Sequence, residues 1–297
     1  TWFRRDITDA LFNVRQIPSL GFQNSQLANV GTMKSGGMEL TTDLSVWRHR
    51  DWDWTVGASL ATNNATVTSL GGASDFAIGT NAWVMVGQAV PEIRSDNGCL
   101  KNPDATGTGG QLVVPVYSTD PAHDCLYGAN LPTHTYGFNT SLQMPKGIRI
   151  DLRGEYEGGG YMYDGAGDAA VSRSVRWPGC YDTYAKQDRG QLDQISALQL
   201  VRCTPKLTRS DYWIYPSDYF KLRDVAVSVP VPARFFLGAS SAHLTLSGHN
   251  VWKWVNKDFP TFDPETGNNG GYDSPVRSIL EQVPPPAQFT ASFRLVF

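Results

Sequence analysis

The chain closes on A-Q-F-T-A-S-F-R-L-V-F (287–297). Its odd positions, Ala287, Phe289, Ala291, Phe293, Leu295 and Phe297, are all apolar. Of the even positions, Gln288, Thr290, Ser292 and Arg294 are polar, and Val296 alone is not. Successive side chains of a β-strand point to opposite faces, so this stretch has one greasy face and one wet one. A tilted strand needs about 9–11 residues to cross the hydrocarbon core of a bilayer, and this one is long enough. The segment is therefore either the last strand of a soluble sandwich or one stave of a membrane barrel, lipid outside and lumen inside. The other strands decide between the two.

They repeat the pattern. In 38–46, Met38, Leu40, Thr42, Leu44 and Val46 alternate with Glu39, Thr41, Asp43 and Ser45. The short turn W-R-H-R-D (47–51) leads into Trp52, Trp54, Val56, Ala58 and Leu60, set against Asp53, Thr55, Gly57 and Ser59. Two long strands joined by a tight turn make a hairpin, and tryptophans beside the turn suit a membrane interface. A second hairpin places Tyr136, Phe138, Thr140, Leu142 and Met144 on one face, turns at M-P-K-G (144–147), and returns through Ile148, Ile150, Leu152 and Tyr156. The opposite face of that return strand carries Arg149, Asp151, Arg153, Glu155 and Glu157. A dry core does not tolerate such a row of charges, but a water-filled lumen does. Residues 212–229 read as a strand whose phase slips near Asp224, the signature of a β-bulge. Residues 241–254 alternate again, with His243 and His249 on the inward face. Residues 2–12 alternate only loosely.

The tally is eight long strands. Short turns near 49, 146 and 233 fall on one side, and long loops near 20, 100, 185 and 270 on the other. That asymmetry belongs to an all-β, transmembrane antiparallel up-and-down β-barrel, with short periplasmic turns and long extracellular loops. A Greek-key sandwich has no reason to produce it. No run of 18 apolar residues is present, so no transmembrane helix is expected, which leaves barrels open. A net charge of −3 with a pI of about 5.9 offers no basic surface to nucleic acid. The chain begins at Thr1 without a signal peptide, as a processed product or a piece of a longer protein would.

The long segments read as irregular loops, 67–132, 158–210 and 256–285, and segments of that length are usually functional. Cys99 and Cys125 lie in the first of them, Cys180 and Cys203 in the second. With no C-x-x-C spacing and no histidine at a ligand-like distance, two loop-stapling disulfides in an oxidising compartment are expected, paired locally. Four reduced, buried thiols are the alternative.

Several stretches also resemble a known family. L-A-N-V-G (27–31), G-G-M-E-L (36–40), S-D-Y-F-K-L-R-D-V (217–225), L-S-G-H-N-V-W-K-W (246–254), F-D-P-E (262–265) and the closing F-R-L-V-F (293–297) are similar, in order and spacing, to the C-terminal barrel region of SusC/RagA-like TonB-dependent receptors. The resemblance spans residues 1–297 as one region and implies the last eight strands of a 22-stranded barrel filled by an N-terminal plug. Plug, TonB-contacting segment and earlier strands would precede Thr1. It further implies import of a bulky nutrient (glycan, peptide or chelate) across the outer membrane of a Gram-negative bacterium, driven by TonB, often beneath a SusD-like surface lipoprotein. Phe297 resembles the end signal read by the barrel-assembly machinery. The two cysteine pairs are not part of the family pattern.

The candidate sites follow. Asp151, Glu155 and Glu157, interleaved with Arg149 and Arg153 along an open strand face, make a poor hydrolase site and a good lumen wall, touching plug or substrate. The chain is expected to be no enzyme. His243 and His249 join that wall, too far apart in sequence to chelate a metal together. Trp83, Tyr161, Tyr163 and Trp177 are candidates for sugar stacking in the extracellular loops. G-G-G-Y-M-Y-D-G-A-G (158–167) lacks a phosphate-loop lysine and a following helix, and reads as a flexible loop. No cofactor is expected, although Asp263, Glu265, Asn268, Asn269 and Asp273 are oxygen donors of the kind calcium takes, outside any EF-hand frame. Two rival readings are a self-contained eight-stranded barrel with an adhesive or structural role, and a secreted, disulfide-bonded β-sandwich binding glycans.

Overall fold

The computed structural model describes residues 1–15, 25–29, 31–259, 263–269, 276–280 and 283–297. Eight strands pair in chain order into one antiparallel sheet: β1 (Trp2–Ile7), β2 (Thr32–His49), β3 (Trp52–Thr62), β4 (His134–Gln143), β5 (Arg149–Gly158), β6 (Tyr219–Val231), β7 (Ser241–Val255) and β8 (Gln288–Val296). A further strand, Asn64–Ser69, continues beyond β3 and pairs with the start of β2. The edges β1 and β8 do not pair with each other, so the sheet stays open. The self-contained eight-stranded barrel is thereby corrected: these strands form a wall, not a closed ring.

Register makes the two faces continuous. Leu40, Leu60, Tyr136, Tyr156, Phe220 and Trp254 stand abreast across β2 to β7. Lower down, Leu44, Val56, Thr140, Leu152, Val225, Gly248 and Phe289 form the corresponding row. Among the described residues this face meets no other layer. Leu44 is 60% exposed, Leu246 54% and Phe289 79%. A continuous apolar face of this size in water would be a liability, and facing lipid it is the ordinary outside of a barrel. Aromatic rings edge it at both ends: Tyr136 on Tyr156 (5.7 Å) and Phe220 on Trp252 (5.7 Å) at the long-loop end, Trp47 on Trp52 (5.7 Å) at the turn end. From Tyr136 to Met144 the run is roughly 27 Å at the usual strand rise, the height of an apolar membrane band. Gly154 sits on this face under the stacked rings of Phe138 and Phe220, where a Cβ would come within 2.8 Å of Phe220 Cζ. The expected bulge is present: the register slips between Leu222 and Asp224, leaving Arg223 as the extra residue of β6.

Three sequence readings need correction. The long loop placed near 20, read as running over about 13–32, is not wholly loop: Leu11–Arg15 and Ser25–Asn29 pair as a hairpin outside the main sheet. The strand expected over 212–229 breaks in two, since Ile214–Pro216 leaves the barrel wall to pair elsewhere and β6 starts only at Tyr219. Above all, the long loops are not structureless. They carry a sheet from 76–129, a second sheet joining 161–164, 214–216, 268–269 and 277–279, and helices at Gly165–Ser172, Tyr181–Asp188 and Ala197–Cys203. The supposed flexible loop 158–167 runs through strand Tyr161–Asp164 into the first of these helices, capped by the Asp164 carboxylate accepting from the Ala166 and Gly167 amides. Strands of two to four residues are too short to show alternation, which is why the sequence hides them.

These pieces pack into one cap. Met162, Val171, Val201, Trp213, Tyr215, Phe259 and Ile279 share a core with the Cys180–Cys203 disulfide. Ala82, Ile93, Ile214 and Val276 form another, drawn from all three loops. Both local disulfides are present, each with its Cα atoms 5.5 Å apart. Cys180 is fully buried, so replacing Cys180 and Cys203 by Ala removes both a loop constraint and core packing. We expect the cap to lose about 3 kcal/mol of stability, from the entropy of a loop of this size. Hydrogen exchange should then rise in 160–215 while β2 to β5 stay protected.

Candidate functional site: the charged wall and its loop cap

The inner face of the sheet is as polar as the outer is apolar. Thr41, Ser59, Gly137, Glu155, Lys221 and Lys253 lie abreast, and below them Asp43, Gly57, Asn139, Arg153, Asp224 and His249. Most of the predicted lumen residues stand in this field. Arg149 donates to Asp151 at 2.9 Å. Arg153, Glu155 and His249 line one recess of about 260 Å³ together with Arg223, Asp224 and Asn250. There His249 Nδ1 contacts the Asp224 carboxylate, and Arg223 Nε donates to Glu155 at 3.1 Å. Glu157 belongs to a different cavity, shared with Tyr219, Glu265 and Arg277. His243 lies opposite Arg294, away from both.

Sequence reading missed the centre of this wall. Lys221, only 2% exposed, forms ion pairs with Asp263 at 2.8 Å and with Glu265. Arg223 Nη1 reaches Glu265 at 2.6 Å, and Lys253 approaches Asp263 at 3.4 Å. A buried ammonium is tolerated only where carboxylates replace its water. Here those carboxylates come from the last loop, which is thereby pinned to β6 and β7. Alternation alone places Lys221 on the inward side, but its partners lie about 40 residues away, beyond any local signal. Asp263 and Glu265, read from sequence as oxygen donors for calcium, are occupied by cations. Asp273 and the side chains of Asn268 and Asn269 lie outside the described residues. Among the described residues no cluster of acidic, histidine or cysteine side chains is arranged to hold a metal.

The four loop aromatics occupy the cap. The Arg94 guanidinium lies 3.4 Å over the Trp83 ring, whose Nε1 donates to Asp96. Tyr161 packs against Tyr127 (5.9 Å). Tyr163 donates its hydroxyl to Asp168 at 2.8 Å, and burial with that carboxylate drives its phenol upward. Trp177 leans on the disulfide core. Two buried polar residues stitch the loops together. Asp211 accepts from Asn81 Nδ2 (2.8 Å), the Asp96 amide (2.6 Å) and Asn97 Nδ2 (3.0 Å). Asn130, fully buried, donates to the carbonyls of Tyr161 and Arg277 (both 2.9 Å) and accepts from the Arg277 amide.

Glu92 in the same cap is buried and pushed up to about 7, chiefly by desolvation, against two backbone amides that favour its charged form. A carboxyl whose folded pKa is raised contributes its full stability below the unfolded pKa of 4.5 and loses it as pH climbs to about 7. The cap should therefore resist trypsin better at pH 5.5 than at pH 8, and Glu92→Gln should flatten the difference. An unchanged pH profile in that variant would rule out Glu92 as the source.

A sheet that is apolar outside, charged inside, and roofed by folded loops at one end is built as the wall of a transmembrane β-barrel. Comparison with known proteins agrees. The chain is 24% identical over 312 residues to the TonB-dependent receptor P26 of Formosa agariphila, covering 91% of the chain and 29% of that receptor. Its fold matches the RagAB peptide transporter with a TM-score of 0.74 at 18% identity, over 99% of the chain and 32% of the transporter chain. It also matches the RagAB peptide importer in its "open-open" state, with a TM-score of 0.67 at 20% identity over 100% of the chain. No family model matches. The chain spans about a third of the length of these relatives. In sequence and in fold it is thus similar to one part of a TonB-dependent receptor, as the quoted motifs imply. The relatives are a receptor and a transporter.

Proposed function

We propose that this chain is the C-terminal barrel region of an outer-membrane TonB-dependent transporter that imports a bulky nutrient, with no catalytic role. The observation that carries this reading is the pairing of a continuous lipid-compatible face with a charged inner face on an open sheet. An open sheet needs further strands to close, and the charged face needs water, plug or substrate in front of it. The short turns would face the periplasm, with the C-terminus, and the cap would face outward. The charged wall would line the passage beside the plug. TonB would act through the N-terminal part, and a SusD-like lipoprotein would sit over the cap, as the two-component RagAB relatives suggest. The cargo would be a peptide, a glycan or a chelate.

The test is a gel of the native membrane fraction, unheated and boiled, probed for this sequence. A heat-dependent shift with a boiled band several times heavier than 32.6 kDa is the expected result. A soluble band that does not shift would overturn the membrane reading.

A further inference from the structure

The cavity that holds Glu157 opens between the barrel wall and the cap, with a volume of about 450 Å³. That lies within the range of small-molecule sites, roughly 300–1,000 Å³. Asn63, Thr135, Glu157, Tyr219, Glu265 and Arg277 line it. Arg277 is the unusual member. It is 8% exposed, and its backbone is gripped on both sides by the buried Asn130. Its Nη2 donates to the Pro264 carbonyl at 3.2 Å, while Nη1 is buried with no hydrogen-bond partner. Among the described residues no carboxylate lies in ion-pair range of it, although the wall nearby is dense with ion pairs. A guanidinium cannot shed its charge, so an unmet donor at the edge of a cavity asks for an anion. A planar carboxylate fits that fork best. Glu265 in the same cavity is already neutralised by Lys221 and Arg223, whereas Glu157 forms no ion pair among the described residues. The cavity thus offers one cation without an anion and one carboxylate, Glu157, that is met by the Tyr219 hydroxyl but by no cation among the described residues.

We infer that this cavity binds a carboxylate-bearing ligand, its carboxylate on Arg277 and an amine or hydroxyl donor of the same molecule toward Glu157. This rests on the transport reading and gives it a cargo class: the C-terminal end of a short peptide, or a sugar acid. A neutral glycan offers hydroxyls to Glu157 but no carboxylate to Arg277.

The experiment uses the full-length receptor, purified in detergent, with calorimetric titration of trialanine and of tri-galacturonate. Each is run beside its neutralised form, trialanine amide or the galacturonate methyl ester. The expected result is that one acid binds and its neutral form binds at least about ten-fold more weakly. Which acid binds separates peptide from sugar acid. Arg277→Gln should bring the acid down to the level of its neutral form, and Arg277→Lys should retain part of the difference. Equal binding of acid and neutral forms, or binding of neither acid, overturns the assignment. The ligand-side comparison needs no variant to fold. Failure here leaves the heat-shift result standing, whereas a receptor that never enters the membrane removes the transport reading first.

Discussion

Replacing Leu44 by Arg should destabilise the folded barrel by about 2–4 kcal/mol, the cost of an arginine at mid-bilayer depth on the lipid face. Leu44 is 60% exposed in the structure, so a protein surrounded by water would barely register the change. Its row lies midway between the aromatic edges, level with Val56, Leu152 and Val225. The matched control is Ser45→Arg, one residue along and therefore on the opposite face, level with Thr55, Ser141 and Asp151. It should cost little, since that face tolerates charge. The measurement is the temperature at which the unheated band collapses to the boiled position on a gel of the full receptor in detergent. Equal, small effects for both substitutions would mean that the apolar face does not meet lipid.

The second large effect is expected at Lys221. Lys221→Met leaves Asp263, 1% exposed, with Lys253 at 3.4 Å as its remaining cation and the Glu265 amide as a donor, and loosens Glu265. Breaking a buried pair by removing one partner costs about 3–5 kcal/mol. The lower end applies here, because Lys253 and Arg223 compensate in part. The loss should appear locally: protease cleavage within 256–287 should accelerate while the heat shift of the barrel persists. Lys221→Met combined with Asp263→Leu should recover much of the protection, since replacing both partners removes the stranded charge. If the single variant protects the loop as well as the parent does, the ion cluster does not pin it.

The contrast between these two sites also marks what the sequence makes legible. Leu44 and Ser45 could be assigned to opposite faces from the chain alone, because alternation over a long strand is a local, redundant signal. The same redundancy delivered the long barrel strands, the phase slip near Asp224 and the five charges of β5. Lys221 sits in the same kind of pattern, yet its role depends on Asp263 and Glu265 arriving from another loop. The cap was hidden for the same reason. Its strands are too short to alternate, its helices run to eight residues at most, and its cores join Ile93, Ile214 and Val276 from three separate loops. Trp83, Tyr161, Tyr163 and Trp177 looked like free loop aromatics because nothing near them in sequence announces the partners that pack on them. Arg277 was passed over altogether, being one basic residue in an unpatterned stretch.

Asn130 has a practical meaning for anyone building chimeras of barrels capped in this way. One side chain holds the strand at Tyr161 and the strand at Arg277, while its own amide donates to the Pro91 carbonyl at 3.0 Å. Asp211 ties the first two loops a second time. A single loop from a related chain cannot then be grafted alone, because the graft would arrive without the neighbours that finish its core. The three insertions form one unit of exchange, and a transplant that moves them together is the one that should fold.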